Sequence, residues 1–103
     1  MPAETRTQFF QTGSPADPVR LREGGLLPGI TLAYETWGEL NAGRSNAIFL
    51  FHALSGSHHA VGYNPGIEGV GELWQPEMHE GWWEGMIGPG KAIDTDKYFV
   101  ICA

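Results

Sequence analysis

The chain has 103 residues, 42% of them hydrophobic and 17% charged, enough for one small packed unit and too little charge for a disordered tail. Its net charge of −6 and six scattered Lys and Arg residues argue against nucleic-acid binding, which needs clustered cations to neutralise phosphates. No apolar run approaches the roughly 20 residues of a membrane span. The opening MPAETRTQFF has no apolar h-region, and the lone Cys102 cannot form an internal disulfide. The expectation is a cytoplasmic protein in a reducing compartment.

In chain order, Thr5 to Gln11 reads as an edge strand carrying Phe9 and Phe10. Gly13 to Pro18 is a turn by composition, with two prolines that cannot donate to a sheet ladder. Val19 to Arg22 alternates apolar and basic residues, the period of a half-exposed strand. Leu26-Leu27 forms a short apolar step between Gly24-Gly25 and Pro28-Gly29. Ile30 to Trp37 alternates again, setting Ile30, Leu32, Tyr34 and Thr36 against Thr31, Ala33, Glu35 and Trp37. The first third is therefore expected to be an antiparallel β meander.

Ala47 to Phe51 is apolar without alternation, the pattern of a strand buried on both faces of a mixed or parallel sheet. Val61 to Lys91 shows no helical period, and irregular segments of that length in compact domains are usually functional. Tyr98 to Ile101 reads as a second buried strand. The 103 residues stop inside or just after it, so the expected domain organisation is 1–103 as the N-terminal portion of one longer domain.

The densest chemistry lies in SNAIFLFHALSGSHHA, Ser45 to Ala60, where a strand breaks into small and polar residues. In open α/β sheets ligands gather at the carboxyl ends of strands. A strand ending at Phe51 would aim the amides of Ala53, Leu54 and Ser55 beyond the sheet edge, as half of an oxyanion site. Two such donors are each worth about 10²–10³ in rate. The plainer alternative is that Gly56 serves only a tight turn.

The histidines His52, His58, His59 and His79 lack metal-ligand spacing, and no metal site is expected. Pairing Ser55 or Ser57 with His58 or His59 as nucleophile and base is disfavoured, since neighbours on one short turn seldom align and no orienting group is evident. The histidines are expected to line or brace a pocket. Gly88-Pro89-Gly90-Lys91 departs from the phosphate-loop pattern, with Ala92 where a hydroxyl is needed. Trp82, Trp83 and Met86 are expected to plug the loop onto the core. There is no G-x-S-x-G, hence no nucleophile elbow.

Several blocks, in order, resemble the homoserine O-acyltransferase family. They are Leu32 to Asn41 (LAYETWGELN), Ser45-Asn46-Ala47, His52 to His59 (HALSGSHH), Gly81-Trp82-Trp83, Ile87 to Lys91 (IGPGK) and Asp94-Thr95. The resemblance runs from about Phe9 to the last residue. It implies an α/β-hydrolase fold, of which this chain would be the N-terminal part only: a β meander plus the first buried strands of the central sheet. It also implies acyl transfer from acetyl-CoA or succinyl-CoA to the hydroxyl of L-homoserine through an acyl-serine, in methionine biosynthesis. Acyl-CoA would be a co-substrate, with no bound cofactor, no nucleic-acid or membrane partner, and a homodimer at full length. Carried over by position, the backbone N–H of Leu54 would be one oxyanion donor. The family's Ser, Asp and His triad would lie beyond position 103, leaving the fragment inactive alone.

Overall fold

A computed structural model describes residues 3–103. Its main feature is a four-stranded mixed sheet in the order β1-β4-β8-β5, made of β1 (Gln8–Thr12), β4 (Ile30–Trp37), β8 (Phe99–Cys102) and β5 (Ala47–Leu50). β4 runs antiparallel to both β1 and β8, whereas β5 lies parallel to β8. Between β1 and β4 the chain makes a separate small hairpin, β2 (Val19–Arg20) with β3 (Leu26–Leu27). The expected meander is thus interrupted. Leu26-Leu27 turns back on Val19-Arg20, so β1 pairs with β4 rather than with its neighbour in sequence.

Side chains alternate between the faces of a strand, and the register joins these alternations into two continuous faces. On one, Glu35 stands opposite Cys102 and Trp37 opposite Val100, while Leu50 and Ile48 continue the same rows on β5. This face carries the core: Ala60, Val61, Ile87, Val100 and Cys102 are buried, with Trp37, Ile48, Leu50, Trp83 and Ile93 packed around them. On the other, Phe10 opposes Leu32 and Ile101 opposes Phe49. These residues and Tyr34 and Ala103 line a shallow apolar groove of about 300 Å³, with Phe10 55% and Phe49 51% exposed.

The prediction for Ala47–Phe51 is corrected here. β5 ends at Leu50, and exposure alternates along it, because only one face of the sheet is covered within these residues. Tyr98 likewise precedes β8 and is exposed.

The covering layer comes from residues 57–95, which contain almost no regular structure. They hold two single-turn 3₁₀ helices (Gly71–Leu73 and Pro76–Met78) and a two-residue parallel pair, β6 (Ile87–Gly88) with β7 (Ile93–Asp94). Glycine makes the layering possible at one point. A Cβ on Gly81 would collide with the backbone of Ala60 and Val61, so the two chain segments can touch only without a side chain there. Their contact is closed by Gly81 N–H to Gly62 O (3.0 Å) and Trp83 N–H to Ala60 O (2.7 Å). Among the described residues, no helix is long and apolar enough to cross a membrane.

Candidate functional site

β5 delivers the chain to the carboxyl end of the sheet, where it leaves as an exposed turn. Gly56 N–H returns to Ala53 O (2.8 Å), and the His52 ring donates through Nδ1 to the same carbonyl (2.7 Å). Among the described residues, the amides of Ala53, Leu54 and Ser55 donate no hydrogen bond. The Leu54 side chain is fully exposed. Ser55, Gly56 and Ser57 form one wall of an open cleft of about 400 Å³, with Trp74, Trp82 and Glu80 on other sides.

The exit of this turn runs into a buried polar cluster centred on Glu35. The carboxylate is 1% exposed and receives four donors. His59 Nδ1 reaches Oε1 at 2.8 Å, while Asn64 Nδ2 (2.9 Å), Thr7 Oγ1 (3.2 Å) and His58 Nε2 (3.2 Å) reach Oε2. Thr7 Oγ1 also lies 2.8 Å from His58 Nε2 and accepts from Asn64 Nδ2 at 2.9 Å. The second nitrogen of His59, Nε2, lies 2.7 Å from the carbonyl of His79. A carboxylate and a carbonyl can only accept, so both ring nitrogens must donate and the ring is an imidazolium. His59 and Glu35 are a buried ion pair.

The electrostatics agree. Burial alone would raise the pKa of Glu35, but hydrogen bonds from His58 and His59, then Thr5 and Asn64, outweigh it and hold the carboxyl far below the usual range. Burial pulls His59 down, and the hydrogen bond and charge of Glu35, with the carbonyls of His79 and Gly62, push it above its ordinary value. The Cys102 thiol is pushed up to about 11 by burial and then by the charge of Glu35. It is a core thiol, as its place in an apolar strand implied.

The expected bracing role of the histidines therefore holds for His58 and His59. Adjacent residues in an extended segment point to opposite sides, yet both rings reach one carboxylate. The chain bends at His58, and Ala60 N–H folds back onto His58 O (3.1 Å). No serine–histidine side-chain pair forms. Ser57 Oγ instead accepts the backbone N–H of His59 (3.1 Å). Of the expected aromatic plugs only Trp83 joins the core. Trp82 stacks on it with ring centroids 5.5 Å apart and remains 41% exposed, and Met86 is also exposed. Ile87 is the buried plug. Gly88 to Lys91 is a turn, capped by Asp94 Oδ1, which accepts from Gly90 N–H (2.9 Å) and Asp96 N–H (3.0 Å).

Glu35, Asn64 and Thr7 were missed. The available signal was a carboxylate inside an eight-residue strand on the same side as Ala33 and Trp37. A half-exposed strand accounts for such a residue equally well.

No protein-family model matches the chain. Among curated proteins it is 54% identical to a homoserine O-acetyltransferase of Thermobifida fusca over 84% of its length, which is 20% of that protein. It is 50% identical to a homoserine O-succinyltransferase of Acidithiobacillus ferrooxidans over 90% of its length and 22% of the relative's. Among solved structures, homoserine O-acetyltransferase from Bacillus anthracis matches with TM-score 0.70 and 35% identity, over 99% of this chain and 23% of that one. Esterase E22 matches with TM-score 0.73 and 32% identity, over 95% and 23%. The chain is thus related along most of its length to homoserine O-acyltransferases and spans about a fifth of the curated relatives it matches. Its sheet is part of an α/β-hydrolase fold.

Proposed function

We propose that residues 1–103 are the N-terminal portion of a single α/β-hydrolase domain that transfers an acyl group from acyl-CoA to the hydroxyl of homoserine. The observation that carries this reading is the turn after β5, with the amides of Ala53, Leu54 and Ser55 unspent beside an open cleft. In such a reaction a serine oxygen, supplied outside these residues, adds to the thioester carbonyl. The carbonyl electrons move onto oxygen, and the Leu54 N–H donates to that oxyanion. Collapse re-forms the carbonyl and expels CoA thiolate. Homoserine's hydroxyl then adds to the acyl-serine, the same amide stabilises the second oxyanion, and the serine leaves. The donor acts twice, each time on charge absent from the ground state, which is why it accelerates rather than merely binds. Acetyl-CoA is the preferred donor of this proposal and succinyl-CoA the alternative. L-Homoserine is the acceptor, and the full-length protein is a cytoplasmic homodimer.

A second reading rests on the likeness to esterase E22, because water could replace homoserine as acceptor with the same oxyanion donor. The reading frame carrying this chain can be expressed and supplied with acetyl-CoA or succinyl-CoA, with and without homoserine. CoA release that requires homoserine and yields O-acylhomoserine is the expected result. Turnover of p-nitrophenyl acetate without any transfer to homoserine would favour the esterase, and neither activity would end both readings. Leu54→Pro should lower kcat by about 10²–10³ if that amide is a donor, with circular dichroism confirming the fold. The 103-residue chain alone should be inactive, because it contains no nucleophile elbow.

A further inference from the structure

The turn that offers these amides is itself bare. Ala53 to Gly56 are all exposed, and the turn's only internal ties are the two bonds onto the Ala53 carbonyl. Its geometry must be imposed from its ends. The entry is fixed by the β5–β8 ladder, with Leu50 paired to Cys102. The exit is fixed at Ser57 by three contacts, one of them from the Cys102 thiol, which donates to the Ser57 carbonyl at 3.7 Å. The same carbonyl accepts from Trp82 Nε1 (2.7 Å) on the outer side, and the Ser57 hydroxyl accepts from His59 N–H (3.1 Å) on the inner side. His59 is in turn locked by its ring, between Glu35 and the His79 carbonyl.

We propose that Glu35 is a positioning residue for the oxyanion turn, holding His59 and through it Ser57, so that the amides of Ala53 to Ser55 keep one fixed geometry at the edge of the cleft that Ser55, Gly56 and Ser57 line. The inference rests on the acyl-transfer reading above. A buried ion pair is weak evidence of stabilisation, since apolar residues of similar volume often serve a core as well or better. What a carboxylate with four donors supplies beyond packing is orientation. It fixes both neighbouring imidazoles and the Asn64 amide against one strand. Oxyanion donors are effective in proportion to their preorganisation, and a displacement of about 1 Å made at a distance can cost about 10² in rate. Glu35 touches no reacting atom and acts only through the main chain of His59.

The test compares Glu35→Gln with Trp82→Phe in the acyl-transferring polypeptide that carries this chain. Glutamine keeps the shape but turns one acceptor oxygen into a donor facing other donors. Expected for Glu35→Gln is a fall in kcat of about 10–100-fold with KM for homoserine within twofold. Nitrogen-15 spectra should show His59 doubly protonated at pH 7.5 in the parent and not in the variant. Trp82→Phe removes only the outer tie from a partly exposed ring and should lower kcat several-fold, again at constant KM. A folded Glu35→Gln with unchanged kcat overturns the proposal. Should Glu35→Gln not fold, Ser57→Ala decides, because it removes the hydroxyl through which His59 holds the turn: lower kcat at constant KM supports the clamp, and unchanged kcat overturns it. If the parent transfers no acyl group at all, the acyl-transfer reading has failed. Positioning is then judged by the backbone resonances of residues 53–56 in Glu35→Gln, where shifted signals uphold the clamp and unshifted signals reject it.

Discussion

The two faces of the four-stranded sheet make opposite use of the same strands. One is covered by a glycine-rich layer with almost no regular structure and contains an ion pair, two histidines and an asparagine, all buried. The other is built from Phe10, Leu32, Tyr34, Phe49 and Ile101, the more conventional core residues, and is left open by residues 3–103. Burial here follows coverage rather than hydrophobicity. The polar face is covered because its groups satisfy one another: four donors on Glu35 leave no buried charge unpaired.

The contrast can be broken most severely where the covering layer touches the chain beneath. Gly81→Ala should destabilise by about 4–5 kcal/mol, the upper end for single substitutions, because the clash is with backbone that cannot rotate away. Urea denaturation would measure it, and a loss under 1 kcal/mol would mean that the layers are not in close contact. Next, Glu35→Ala removes the shared acceptor of His59, Asn64 and Thr7 and leaves their buried donors unpaired, and should cost about 3–5 kcal/mol. A smaller pair of substitutions compares the faces directly. Val100→Ala, on the covered face, should cost about 2–3 kcal/mol. Phe49→Ala removes more carbon from the open face, yet should cost less than about 1 kcal/mol and reduce binding of a hydrophobic dye. Equal costs would show that the open face is covered in solution.

The mildest test is pH. Glu35 has a depressed folded pKa, so its contribution is present above the ordinary value of 4.5 and is lost as pH falls toward the folded value. His59 has a raised one, so its contribution is complete below 6.5 and disappears as pH rises through the folded value. Stability should therefore be greatest between these values, changing outside them by no more than about 1.4 kcal/mol per pH unit for each group. A melting temperature that stays flat from pH 6 to 9 would argue against a charged His59.

Much of this was legible in the sequence. Strict alternation placed Ile30–Trp37 as a strand to the residue, and the break after the Ala47 run placed the turn that follows β5. The irregular character of residues 61–91 was also read correctly, though not its purpose, because covering a sheet with loops leaves no periodic trace. Periodicity could not say which face of β4 would be buried. Glu35 is the buried member of the strand, since the carboxylate's partners come from residues 23 to 29 positions away. Such pairings are fixed by the tertiary fold and leave no local signal.

The strand order also bears on how the chain acquires its shape. β8, which lies between β4 and β5, is made after both, and Ala47 must wait for Phe99. At about 5–20 residues per second of synthesis, roughly 3–10 s pass between the completion of β5 and the arrival of its neighbour. During that interval β4 and β5 have no strand between them and nothing to hold their separation. Pairing over such distances along the chain is slow, and the nascent polypeptide depends in that window on not finding a wrong partner first.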